Sequence, residues 1–246
     1  ICMKNKFSFS QFIVPDFKIK LVFMLSAIFF MGVTLSVLIE IGWGTDPATF
    51  MNLHIASLFG WENVGTAQII DYGILFIFNF IFGPQYIGFG TLANMFLIGY
   101  IADFSRWVWK LTGFHQFLAS AGLVALIPVF AITLCLFVIS ASVYINAQMG
   151  IAPYDAIPVI ISKSAKKIPP FIIRMLFDFS VIFIGLIAAV AARGKFEAVS
   201  SFAGIELRTS IIGCVCMSFM LGPVISFAGS IMKKKIPVFQ DSTSVR

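Results

Sequence analysis

The chain has 246 residues, of which 59% are hydrophobic and 11% are charged, whereas a soluble domain carries about 25% charged residues. The mean hydropathy is +0.99, so the chain has more apolar surface than one globular core of this length could bury. These values exclude a water-soluble enzyme and predict a polytopic helical membrane protein, with residues 1–246 as a single membrane domain. The net charge is +6. We expect no nucleic-acid partner, because the basic residues flank apolar runs and form no stripe with exposed aromatic residues.

Six apolar runs are each long enough to cross a bilayer as a helix. They fall at about 18–41, 65–84, 87–109, 118–146, 168–192 and 207–232. Two segments between them, Pro47 to Gly60 and Pro153 to Ser164, are compatible with a helix but too short to span unaided. Each begins with proline, which is favoured at the first helical position, and each follows a stretch with glycine that a continuous helix would avoid.

The two halves of the chain resemble each other and predict an internal repeat. Three ordered matches carry this prediction: Gly44 to Pro47 with Gly150 to Pro153 at an offset of 106, Asp71 with Asp178 at 107, and Gly99 to Phe104 with Gly222 to Phe227 at 123. A charged insertion around Arg193 to Arg208, predicted as a loop, explains the last offset. The predicted fold is all-α, with repeats at about 18–110 and 118–232. Each repeat has three long transmembrane helices and one short broken or re-entrant helix.

Basic residues near the two ends predict the orientation. Lys4, Lys6, Lys18 and Lys20 precede the first apolar run, and Lys233 to Lys235 follow the last one. By the positive-inside rule both termini lie in the cytoplasm, so the number of crossings is even. Six crossings give inverted repeats if the short helices do not cross, and eight give parallel repeats if they do. The distribution of Lys and Arg among the loops mildly favours eight, and both arrangements stay open.

Two acidic residues inside apolar helices are the leading candidates for a site. A charge inside a bilayer costs on the order of 2.5–3.5 kcal/mol on insertion scales, so Asp71 and Asp178 require an explanation. Their matched positions predict that both approach the interface between repeats, where transporters bind substrate or coupling protons. The alternative is structural, with each carboxylate accepting backbone N–H bonds from a broken helix.

Arg174 lies four residues before Asp178, so the two side chains share a helix face and are expected to pair. A structural or counter-charge role is favoured over contact with the substrate, although a guanidinium also suits a carboxylate or phosphate. The corresponding residue of the first repeat is Ala67. We therefore expect any site here to be asymmetric.

The turns before the two short helices are further candidates, because a helix start inside the membrane exposes N–H groups and a positive dipole end. Gly44 and Gly150 are expected to shape these turns. In the first turn, Asp46 is placed to cap its helix, with Thr45 beside it, and a cation or proton role is the alternative. In the second turn, Asp155 lies in the first turn of the helix and complements the dipole.

No pattern indicates catalysis or a cofactor. Cys214 and Cys216 would point about 200° apart on a helix and could not hold one ion. His54 has no second histidine or cysteine at ligand spacing, so we expect no metal site. No phosphate loop with its Lys occurs, and no nucleophile is paired with a base. The sequence therefore predicts neither an enzyme nor a nucleotide-driven pump.

Three segments carry Gly, Pro, Thr and Asp at fixed places in otherwise generic apolar sequence: Gly42-Trp43-Gly44-Thr45-Asp46-Pro47-Ala48-Thr49-Phe50, Gly65-Thr66-Ala67-Gln68, and Tyr86 to Leu92 continuing to Gly99. In these segments the chain resembles the YczE/YitT-type family of bacterial integral membrane proteins, over most of its length. The resemblance implies a permease of undefined function in the bacterial cytoplasmic (inner) membrane. The second half repeats the pattern at Gly150 to Asp155, but Gly204-Ile205-Glu206 lacks the Gly-x-Gly-Thr form of Gly88 to Thr91.

The combined features predict a secondary transporter or permease that binds a small polar solute or ion near the membrane midplane, between two repeats. Two alternatives stay open. One is a non-transporting membrane subunit or regulator, such as the substrate-capturing component of a larger complex, and the other is a channel. A homo-oligomer or a partner subunit is compatible with the sequence.

Overall fold

The computed structural model describes residues 9–61, 63–165, 167–192 and 207–235. The described residues form nine α-helices and no β-strand. In chain order the helices are α1 (Phe17–Ile41), α2 (Pro47–Phe59), α3 (Val64–Phe82), α4 (Phe89–Thr112), α5 (Phe114–Ser120), α6 (Leu123–Asn146), α7 (Pro153–Ser164), α8 (Pro170–Ala192) and α9 (Leu207–Lys235). The predicted all-α fold class is confirmed for this part of the chain.

The predicted elements agree with these helices except at one boundary. The six apolar runs coincide with α1, α3, α4, α6, α8 and α9, and the two short segments are α2 and α7. The fourth run was expected to begin at residue 118. It begins at Leu123 instead, because Gly122 has an extended backbone that separates α5 from α6. The loop expected around Arg193 to Arg208 lies outside the described residues up to residue 206, and so do Gly204 to Glu206 and both termini.

Four helices, α1, α3, α6 and α8, are long and apolar enough to cross a membrane, judged by length and composition. Large apolar side chains lie more than half exposed on their outer faces, among them Ile74, Ile127 and Phe183. Apolar surface of this extent needs lipid as its solvent. The chain is therefore a helical membrane protein, and these faces contact the bilayer.

Helix α4 is less apolar, and its charged side chains are satisfied by neighbouring elements. Arg106 Nε donates to Glu40 Oε1 on α1 at 2.7 Å, and His115 on α5 contacts the second oxygen of Glu40. Asp103 accepts from the backbone N–H groups of the first two residues of α3, at 3.1 and 2.8 Å. These interactions join α1, α3, α4 and α5, and they account for four of the ionisable residues within the helices.

The two short helices lie inside the helix bundle. Helix α2 packs along α8 and also contacts α3, and α7 packs against α3 and α8. Phe50 and Asn52 on α2 and Ala156 on α7 are fully buried. Because both helices are enclosed by long ones, their first turns face the interior of the bundle.

Glycine permits the turn that precedes each short helix. Gly44 has a φ of +128° and Gly150 a φ of +109°, which residues with a Cβ rarely adopt. A Cβ on Gly44 would lie 2.6 Å from the backbone of Gly213 on α9. A Cβ on Gly150 would lie 2.6 Å from the backbone nitrogen of Gly88, just before α4. The predicted role of both glycines in shaping the turns is therefore supported by conformation and by close backbone approach.

Candidate functional site

A cavity of about 290 Å³ lies between α1, α2, α3, α4, α6, α7 and α8. This volume is at the lower end of the range for small-molecule sites, roughly 300–1,000 Å³. Most of the wall is apolar or aromatic. The polar side chains of the wall are Asp46, Thr49, Gln68, Tyr72, Asn94, Tyr144, Tyr154, Asp155, Arg174 and Asp178.

Arg174 on α8 joins two carboxylates of the wall. Its Nη1 donates to Asp155 Oδ1 at 2.7 Å, and its Nε donates to Asp178 Oδ1 at 3.1 Å. The Asp178 contact is the (i, i+4) pair expected from the sequence, and the Asp155 contact links α8 to α7. Tyr154 donates its hydroxyl to Asp178 Oδ1 at 2.7 Å, and its ring centroid lies 5.3 Å from Arg174 Cζ. The guanidinium thus lies between two acidic partners and beside an aromatic ring.

The first turns of both short helices bring a carboxylate to the wall. Asp46 is the N-cap of α2, as expected, because its Oδ1 accepts from the backbone N–H of Thr49 at 3.1 Å. Helix α7 has Ala152 at its N-cap, which offers no side-chain acceptor, and Asp155 lies in its first turn. Both carboxylates line the same cavity. Two acidic helix starts therefore converge on one cavity.

Uncharged polar groups complete the wall from α3, α4 and α6. Gln68 Nε2 donates to the backbone carbonyl of Asn94 at 3.2 Å, and the hydroxyl of Tyr144 donates to the carbonyl of Gly90 at 3.1 Å. The side chain of Asn94 is 3% exposed. Its Oδ1 has no hydrogen-bond partner among the described residues. A buried acceptor without a donor costs about 1–3 kcal/mol, so a ligand with a donor would relieve that cost.

A family model for DUF6198, a family of unknown function, matches residues 18–230. The chain belongs to the DUF6198 family. All the residues that line the cavity fall within the matched region. No curated protein and no solved structure matches the chain. The function of this DUF6198 member must therefore be inferred from its own cavity.

Half of the predicted site residues of this DUF6198 protein line the cavity: Asp46, Asp155, Arg174 and Asp178. Gly44 and Gly150 do not line the cavity, but they form the turns that precede the two short helices. Thr45 is buried beside Asp46, where its hydroxyl donates to the Asp46 carbonyl at 3.3 Å, and it does not line the cavity. Seven of the eight residues therefore belong to the cavity or to the two turns that build it.

Asp71 is the exception, because it does not line the cavity that Asp178 lines. Gln68 and Tyr72, one helical turn apart, face the cavity from α3. Asp71 lies between them in the sequence and is not among the lining residues. Its Oδ2 is buried without a hydrogen-bond partner among the described residues. Of the two matched aspartates, Asp178 lines this cavity and Asp71 does not, so a site shared by both stays a prediction.

The sequence analysis missed the tyrosines of the wall. Tyr72, Tyr144 and Tyr154 are all buried, and each lies in an apolar helix or at the start of one. A buried tyrosine hydroxyl needs a hydrogen-bond partner, so a tyrosine far from the interface is a signal of a polar interior. That signal was present at Tyr144, near the end of a long apolar run, and at Tyr154, directly after Pro153.

Proposed function

We propose that this DUF6198 protein is a secondary transporter, or permease, that binds a small polar solute in the cavity, between two repeats of its chain. The observation that carries the proposal is a constant separation of 106 positions between pairs of residues that line the cavity. Six pairs of lining residues have it: Met31 with Phe137, Leu35 with Ala141, Asp46 with Ala152, Thr49 with Asp155, Gln68 with Arg174, and Tyr72 with Asp178. Corresponding positions of two repeats are expected to face each other at a transporter binding site. At this separation Asp178 corresponds to Tyr72, not to Asp71.

The backbone of the two turns supports the same correspondence. Gly42 and Gly44 have φ angles of +74° and +128°. Gln148 and Gly150, 106 positions later, have φ angles of +54° and +109°. Positive φ is uncommon for a residue other than glycine, so Gln148 is held there by its surroundings. Two turns with the same sequence of left-handed residues favour duplication over chance similarity.

Helix contacts also follow the proposed repeats. If α1 to α4 correspond to α6 to α9, then α1 and α6 are equivalent and contact each other directly. The contact of α2 with α8 is matched by that of α7 with α3, and the contact of α1 with α4 by that of α6 with α9. Each short helix thus packs against the third helix of the other repeat. With this packing, the first turns of α2 and α7 both lie at the cavity.

We propose that α2 and α7 re-enter the membrane without crossing it. They have 13 and 12 residues, or about 18–20 Å at 1.5 Å per residue, against a hydrocarbon thickness of about 30 Å. Six crossings and inverted repeats follow, with both termini on the cytoplasmic side of the bacterial inner membrane. This topology differs from the eight crossings that loop charges mildly favour. The resemblance to the YczE/YitT-type family stays a prediction.

In this proposal the two repeats rock against each other and open the cavity to one side of the membrane at a time. Asp46, Asp155 and Asn94 contact the solute from three different helices. Arg174 and Asp178 hold the α7 and α8 side of the wall in place. The sequence has no phosphate loop, so an ion gradient or a partner protein would supply the energy of accumulation.

The test is uptake by proteoliposomes of four labelled solutes: choline, glycine, erythritol and lactate, which represent cations, zwitterions, neutral molecules and anions. We expect saturable uptake of at least one. Ala141→Leu, which fills the cavity from α6, should lower that uptake at least tenfold. Ala131→Leu is the matched control, because Ala131 lies exposed on the outer face of the same helix.

Three outcomes would contradict the proposal. Uptake of none of the four solutes by folded protein would favour a non-transporting subunit. Uptake that rises linearly with concentration, without saturation, would indicate a channel. Equal uptake by the two leucine variants would show that the solute does not pass through this cavity.

A further inference from the structure

We propose that the cavity binds a small organic monocation, one that has an N–H or O–H donor and an apolar body. The inference rests on the proposed function in taking this cavity as the solute site, and it adds the class of solute. Three properties of the cavity lead to it: its net charge after the contribution of two helix starts, its size and lining, and one unsatisfied acceptor.

The ionisable side chains of the wall are unbalanced. Three carboxylates, Asp46, Asp155 and Asp178, line the cavity together with one guanidinium, Arg174. With all four ionised, the formal charge of the wall is minus two. Arg174 is already engaged by Asp155 and Asp178, at 2.7 and 3.1 Å. Excess negative charge is costly in a low-dielectric interior, so the wall favours a bound cation.

The two helix starts reduce this excess without removing it. A helix N-terminus is equivalent to roughly half a positive charge. The N-termini of α2 and α7 both face the cavity through Asp46 and Asp155. Together they lower the excess from two negative charges to about one. The remaining charge matches a monovalent cation.

The size and lining of the cavity favour an organic cation over a bare metal ion. A volume of about 290 Å³ is far larger than one ion needs. In the part of the chain that the structure describes, no three His, Cys, Asp or Glu side chains are grouped as a metal site requires. Tyr72, Tyr144, Tyr154 and Phe137 contribute aromatic rings to the wall. Such rings attract an organic cation through their faces and pack against its apolar part.

Asn94 supplies the feature that is independent of charge. Its Oδ1 is a buried acceptor that lines the cavity and has no partner among the described residues. An ammonium N–H or a hydroxyl of the ligand would satisfy it, whereas a carboxylate or a fully methylated ammonium without a hydroxyl would not. The solute is therefore a cation with at least one hydrogen-bond donor.

The first experiment varies the charge of a ligand on one carbon skeleton. Binding of n-butylammonium, n-butanol, butyrate and 4-aminobutyrate to the purified protein in detergent is measured by isothermal titration calorimetry near neutral pH. We expect n-butylammonium to bind at least tenfold more tightly than each of the others. Tighter or equal binding of butyrate or 4-aminobutyrate would overturn the proposal. So would the absence of n-butylammonium binding, at millimolar concentration, to protein that unfolds cooperatively.

The second experiment removes one charge while keeping the helix cap. Asparagine caps a helix about as well as aspartate, so Asp46→Asn should leave the unfolding temperature unchanged and weaken n-butylammonium binding at least tenfold. Asp16→Asn is the matched control, because Asp16 is exposed, lies before α1 and undergoes the same change of net charge. Asn94→Ala should weaken binding severalfold by removing the acceptor. Unchanged affinity in Asp46→Asn would refute the proposal that the ligand is a cation. Unchanged affinity in Asn94→Ala would refute the proposal that the ligand donates a hydrogen bond to Asn94.

The two proposals fail in different ways. Selective binding of n-butylammonium without uptake of any solute would refute transport and retain the cation site. Saturable uptake of lactate or glycine, without binding of n-butylammonium, would retain transport and refute the cation. The binding and uptake measurements therefore separate them.

Discussion

The α3 and α8 sides of the cavity differ sharply in chemistry, although their lining residues are separated by a constant 106 positions. Helix α3 presents Gln68 and Tyr72, which are neutral. Helix α8, 106 positions later, presents Arg174 and Asp178, which form an ion pair at 3.1 Å. In the proposed duplication the two halves of the chain share a backbone frame, whereas the side chains that determine its chemistry differ. A cavity built this way has one neutral wall and one charged wall.

The short helices show the same divergence at their first turns. Helix α2 is capped by Asp46, whereas Ala152, 106 positions later at the start of α7, cannot cap. Asp155 of α7 lies 106 positions after Thr49 of α2, whose backbone N–H donates to the Asp46 carboxylate. Each helix start thus has one carboxylate, but at a different position. The two carboxylates consequently make different interactions: Asp46 caps α2, whereas Asp155 pairs with Arg174.

The largest expected loss of stability tests whether the turns before α2 and α7 are equivalent. Gly44→Ala and Gly150→Ala should each destabilise the protein by about 4 kcal/mol, because each combines a strained positive φ with an overpacked backbone contact. The Cβ would lie 2.6 Å from backbone atoms in both cases. Unfolding of the detergent-solubilised variants, followed by circular dichroism, measures the loss. Similar losses in both variants would support equivalent turns.

Gly73→Ala provides the control for these two variants. Gly73 lies within α3, and a Cβ there meets nothing within 4 Å. Alanine is favoured over glycine in a helix by up to about 1 kcal/mol, so this variant should be neutral or more stable. If one turn variant were as stable as Gly73→Ala, the two turns would not be equivalent and the shared frame would be refuted.

These turns were predictable because their signals are local. Glycine before proline, at two places, indicates a break followed by a helix start, and this holds for Gly44 with Pro47 and Gly150 with Pro153. The long helices were predictable from their apolar length alone. Helix capping by Asp46 followed from its position before Pro47.

The inward face of each long helix was not predictable in the same way. Lipid and protein interior are both apolar, so hydrophobic periodicity does not distinguish the face that meets the bilayer from the face that meets another helix. The sequence therefore predicts that Asp71 and Asp178 match at an offset of 107 but does not show which face of α3 lines a cavity. The lining residues Tyr72 and Asp178 are instead 106 positions apart.

A smaller effect is expected when the charged wall is made to resemble the neutral one. Arg174→Gln introduces the residue that α3 has at Gln68 and leaves Asp155 and Asp178 without their counter-charge. Loss of one partner of a buried pair costs about 3–5 kcal/mol. Because the Arg174 side chain is 34% exposed, we expect a value near the lower end, about 3 kcal/mol. Denaturant unfolding in detergent measures it.

A double variant shows whether this loss comes from the charge. Arg174→Gln combined with Asp178→Asn removes both members of the (i, i+4) pair, and Asn still accepts from the hydroxyl of Tyr154. The double variant should therefore be more stable than the sum of the two single losses implies. Strictly additive losses would mean that Arg174 stabilises the wall by packing. The charge of the α8 side would then not explain its contribution to stability.

The smallest expected loss of stability distinguishes the two proposed roles of Asp46, which are capping of α2 and binding of the ligand. Asp46→Ala removes the cap of α2 and should destabilise the protein by about 1 kcal/mol. Asn63→Ala is its match, because Asn63 caps α3 by accepting from Thr66 N at 3.1 Å and does not line the cavity. Equal losses of stability are expected by thermal unfolding, but only Asp46→Ala should also lose affinity for n-butylammonium. A loss of affinity in both variants would mean that the cavity responds to helix stability in general, and not to the charge at the start of α2.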